Sequence, residues 1–86
     1  SEIVTDYWTI NGTYTGEVKR IGRQGLHPLS KGKLVLIKKD KQIVQVHTGE
    51  FHNDMKHGYG FYVVHVLGHE SEIIESCEGQ WHENYL

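Results

Sequence analysis

The chain has one cysteine, one proline and no apolar run near the roughly 18 to 20 residues that cross a membrane as a helix. With Cys77 alone no internal disulfide forms, so the expected setting is reducing: intracellular and cytoplasmic. The opening residues Ser1 to Asp6 are acidic and lack the apolar stretch of a secretory leader. Catalytic frames are missing too. There is no nucleophile elbow or paired-carboxylate frame, and Gly58-Tyr-Gly60 is too short for a phosphate loop and runs into strand-like residues. Six of the seven histidines, His47, His52, His57, His65, His69 and His82, are strewn over the second half at no spacing typical of zinc, and no cysteine pair completes a site. The histidines therefore read as structural, no cofactor or metal is expected, and a metal-dependent enzyme is the weakest alternative.

What the chain does contain is a repeated phrase. Tyr14-Thr-Gly16-Glu-Val18, His47-Thr-Gly49-Glu-Phe51 and Cys77-Glu-Gly79-Gln-Trp81 share one frame, a large or apolar residue, any residue, Gly, a polar residue, then an apolar one. The glycines lie 33 and then 30 residues apart, a period that suits stacked supersecondary units. In a strand these alternate residues share a face, and a bare glycine leaves a slot that a ring from the neighbouring strand can cover. Gly16 and Gly49 are expected to receive such rings. His52 to Lys56 is polar and turn-forming, Lys38 to Lys41 forms a tight turn, and Asn11-Gly12 is better explained as a hairpin turn than as a glycosylation site. Gly22 to Gly32 and Leu67 to Ser71 read as insertion loops. The expectation is one all-β domain over residues 1–86, an antiparallel single-layer meander of about six strands, with repeat-like units at 7–46, 47–76 and 77–86. At this size only about 60 to 65% of the unfolded surface is buried, so the core is expected to be thin.

The stretch from His47 to Tyr62 resembles a MORN repeat (membrane occupation and recognition nexus). Gly49, Glu50, Phe51, Lys56, Gly58, Gly60 and Tyr62 fill that pattern's positions, with His47 where Tyr is usual. Tyr14 to Val18 matches an opening strand, Tyr7 to Thr13 resembles the end of an earlier unit, and Gly79 with Trp81 begins a further one that lacks its second half. The resemblance implies a piece of a longer protein that serves as an interaction or scaffold module. It further implies links to membrane, cytoskeletal or ciliary assembly, or to regulation of an attached enzyme.

Charge is distributed unevenly. Residues 19–41 hold eight of the nine Lys and Arg against one acid, Asp40, a net of +7 in a chain whose total is −2. Lys31, Lys33, Lys38, Lys39 and Lys41 are the candidate patch for an acidic partner or an anionic membrane lipid such as a phosphoinositide, the alternative being a solvated face that discourages edge pairing. Nucleic acid is not expected, because no aromatic is interleaved with the basic run and the domain is slightly acidic. Trp8, Tyr59 and Phe61 fall on the parity opposite the motif aromatics Phe51, Tyr62 and Trp81, so they are the candidate anchors for a protein partner. A meander with open edges is also expected to form a homodimer through its edges or faces.

Overall fold

The computed structural model describes residues 2–85 as six antiparallel strands in a single sheet that does not close, ordered as they occur in the chain. They are β1 (Glu2–Thr9), β2 (Gly12–Arg20), β3 (Leu26–Lys38), β4 (Ile43–His52), β5 (Met55–Val66) and β6 (His69–Trp81), with one 3-10 turn at Gly22–Gln24. The expected all-β meander is thus the observed one.

The connections are shorter than the sequence suggests. The insertion expected over 22–32 shrinks to the 3-10 turn and Gly25, because Leu26 to Pro28 pair with Arg20 to Val18 as part of β3. Pro28 is tolerated there since β4 pairs with β3 only from Ser30 onward. The Pro28 carbonyl accepts a hydrogen bond from the Asp54 N–H at 3.4 Å. In an antiparallel ladder both backbone groups of a residue face the same side, so the missing proline N–H would have pointed to that same gap. The polar turn expected over 52–56 is a two-residue loop, Asn53-Asp54, with φ of 48° and 68° and His52 opposite Met55. Two successive positive φ values match the twist of a hairpin, and Asn and Asp tolerate them better than other side chains do. The loop expected over 67–71 is the turn Leu67-Gly68, and the surplus residues form a bulge in β6: Val66 faces His69, while His65 already faces Ile73.

Register places a glycine from five strands in one line. Gly16 faces Gly32, Gly32 faces Gly49, Gly49 faces Gly60, and Gly60 faces Gly79. The rings do not cover the glycines the sequence suggested. A Cβ on Gly16 or Gly49 would meet the backbone of Gly32 or Gly60, each at 2.5 Å. The covered positions are Gly32, over which the Tyr14 ring lies, and Gly60, over which the His47 ring lies. Each motif's ring therefore covers the glycine of the following strand that faces its own glycine, reaching it on the diagonal from two residues away.

One face gathers the core. Tyr14, Val18, His47, Phe51 and Trp81 are buried on it. Their rings meet edge to face, Tyr14 against Phe51 at 5.3 Å, His47 against Phe51 at 5.4 Å and against Trp81 at 5.0 Å between centroids. Edge-to-face pairs add roughly 0.5 to 1.5 kcal/mol each beyond area burial. On the reverse face Val35, Val46 and Val63 form a cross-strand apolar row.

Candidate functional site

Glu50 and Gly58 explain each other. Gly58 has φ +74°, and the Glu50 carboxylate sits over it while accepting a hydrogen bond from the Tyr59 N–H at 3.0 Å. This contact sits at the break in register between β4 and β5, just before Gly60 faces Gly49. Tyr59 and Phe61 then project together from the reverse face, 51% and 44% exposed. The Tyr59 hydroxyl donates to the Glu78 carboxylate, and that bond, followed by the Glu78 charge, raises the phenol pKa. Phe61 lies opposite Glu78 and Thr48, and Thr48 lies opposite Lys33. Lys31, Lys33 and Tyr59 line one shallow depression over Gly32 and Gly49.

The other sequence candidates do not join this patch. Trp8 is 78% exposed on the edge strand β1 and lines a separate cavity of about 140 Å³ with Phe51 and Pro28. Lys39 and Lys41 belong to the β3–β4 turn, and Lys38 ends β3 five residues beyond Lys33. At about 3.3 Å per residue that separation is roughly 16 Å, beyond the Debye length at physiological salt. The five lysines therefore form two groups. Of the structural motif positions, Tyr14, Phe51 and Trp81 are core residues, and Tyr62 is half-buried with its ring against Trp81 at 6.0 Å.

The sequence reading passed over the opposite face. His27 Nδ1 and Asp54 Oδ2 are 2.6 Å apart, while His27 Nε2 and Asp54 Oδ1 are buried without partners. His47 takes the place that Tyr14 holds one hairpin earlier, with a different outcome. The Tyr14 hydroxyl donates to the Glu17 carbonyl at 2.7 Å, and burial pushes its pKa up to about 12. Neither ring nitrogen of His47 has a partner, and burial, then the charge of Lys56, pushes its pKa down to about 4. His47, Gln45, Lys56, Tyr62 and Asn84 line a second cavity of about 330 Å³. Signals for this site existed in the polar residues of the motif face, Gln45 and Lys56, which a purely apolar core would not need.

The rings of His52 and His57, on either side of one hairpin turn, and of His82 stand in a row with centroids 5.6 and 5.3 Å apart. Among the described residues no group of three or more His, Cys, Asp or Glu has an arrangement that could hold a metal ion. No family model, curated protein or solved structure matches this chain.

Proposed function

We propose that the chain is a non-catalytic protein-interaction module of MORN-repeat type, which binds its partner through Tyr59 and Phe61. The observation that carries this reading is the pairing of those two exposed aromatics on one side of β5, next to the depression over Gly32 and Gly49. The Tyr59 ring is already held by Glu78, so less side-chain freedom is lost on binding. Aromatic anchors of this kind commonly dominate interface energetics. In this reading Lys31 and Lys33 supply charge steering at the rim, and the module serves membrane, cytoskeletal or ciliary assembly, or regulation of a linked enzyme.

An anionic-lipid reading has one observation in its favour, the position of Lys31 and Lys33 on the same face as Tyr59. Salt and substitution separate the two. Tyr59→Ala with Phe61→Ala is expected to abolish recovery of the natural partner by crosslinking in cells, while Lys31→Glu with Lys33→Glu weakens it modestly. Binding to phosphoinositide vesicles that collapses between about 0.1 M and 1 M salt, as the Debye length falls from about 10 to 3 Å, with an unchanged partner yield from the aromatic variant, would favour the lipid reading.

A further inference from the structure

The cavity of about 330 Å³ lies on the face opposite Tyr59 and Phe61, and the interaction reading leaves it unused. Leu34 and Leu36 form an apolar wall that Ile10, itself 89% exposed, extends, and Lys56 is the only Lys or Arg on the lining. The Lys56 Nζ sits 5.6 Å from the Tyr62 ring centroid and 5.8 Å from that of Trp81. Among the described residues no carboxylate lies within ion-pair distance of it. The nearest candidate by position, Asp54, is engaged by His27. Burial lowers the Lys56 pKa, as expected of a cation that two ring faces solvate only in part.

A partly desolvated ammonium at one end of a cavity and an alkyl wall at the other define a complementary ligand. The volume lies at the lower end of the range typical of small-molecule sites, roughly 300 to 1,000 Å³. We infer that this cavity binds a small amphiphilic carboxylate, its anionic end on Lys56 and its alkyl chain against Ile10, Leu34 and Leu36. The side-chain amides of Gln45 and Asn84 line the same cavity. Asn84 Oδ1 already accepts the Lys56 backbone N–H at 2.8 Å, which leaves its NH₂ to donate. A single cation suits a monoanion, and the Asp54 carboxylate on the lining disfavours a phosphate dianion. A neutral amphiphile would leave Lys56 uncompensated.

The test titrates the chain with hexanoate, 1-hexanol and hexylammonium and follows the side-chain amide signals of Gln45 and Asn84 by NMR. Hexanoate is expected to shift them saturably and to bind at least about tenfold more tightly than hexanol, the equivalent of about 1.4 kcal/mol for one charged contact. Lys56→Met keeps the aliphatic stem over the rings and should erase the preference for hexanoate over hexanol, while Lys56→Arg should keep it. Equal affinity for acid and alcohol, shifts that never saturate, or a preference that survives Lys56→Met in a folded variant would each overturn the assignment. Because the readout lies on the face away from Tyr59 and Phe61, the Tyr59→Ala, Phe61→Ala variant should bind hexanoate like the parent chain.

Discussion

At the scale of single residues, His47 sets the stability of the sheet to pH. Its folded pKa is near 4 against an ordinary value of 6.5, so between those values the unfolded chain binds the proton and the folded chain does not. Stability is therefore complete above about pH 6.5 and falls as pH drops toward 4, by on the order of 3 kcal/mol if the whole shift is expressed. His47→Phe should flatten that slope in urea melts recorded from pH 7 to pH 4; an unchanged slope would mean that other groups govern it. The same ring makes substitution at Gly60 costly, since an alanine Cβ there would lie 2.5 Å from His47 Nε2, and the ring is wedged between Phe51 and Trp81. Gly60→Ala is expected to cost about 1 to 3 kcal/mol in the parent and clearly less in a His47→Ala background. Strict additivity in that double-mutant cycle would show that the ring does not cover the glycine. The repeated frame made the glycine and ring pairing legible, but not which strand each ring reaches, because side chains lean across strands and register had to be known first.

At the scale of elements, short turns decide the pairing. Asn53→Val should destabilise the chain by about 1 to 2 kcal/mol, because a β-branched residue pays most for the left-handed conformation that this hairpin loop imposes. The measurement is the urea midpoint, and a variant melting with the parent would contradict the turn geometry. The β-rich runs Leu34 to Ile37, Ile43 to Val46 and Phe61 to Val66 made those strands readable from the sequence. The segment from Leu26 to Gly32 was not readable, since Pro28, Gly25 and Gly32 resemble loop residues and only the gap beside Pro28 makes it a strand. That misreading also hid Gly32 from the glycine line. The cavity around Lys56 was illegible for a different reason: it assembles Ile10, Gln45 and Asn84 from three distant parts of the chain, and no local pattern records their meeting.

At the scale of the whole molecule, the sheet ends in two unpaired edges, β1 and β6. The β6 edge carries Glu70, Glu72, Glu75 and Glu78 with Ile73 and Ile74 exposed, which makes it both adhesive and self-repelling. Sedimentation should therefore show association that strengthens with salt as the carboxylates are screened; a species that stays monomeric at high concentration and high salt would contradict this. The glycine line from Gly16 to Gly79 has a mechanical meaning as well. A sheet resists bending across its strands chiefly through contacts between neighbouring side chains, and along this line five strands offer none of their own. It is a crease. The rings of Tyr14 and His47 lie over Gly32 and Gly60 on one side of it, so the sheet is expected to bend more readily toward the other side. Tyr59 and Phe61 stand on either bank of the crease, and so, on the other side of the sheet, do Lys56 and Tyr62. A partner gripping both aromatics would splint the leaf and set the width of the cavity behind it.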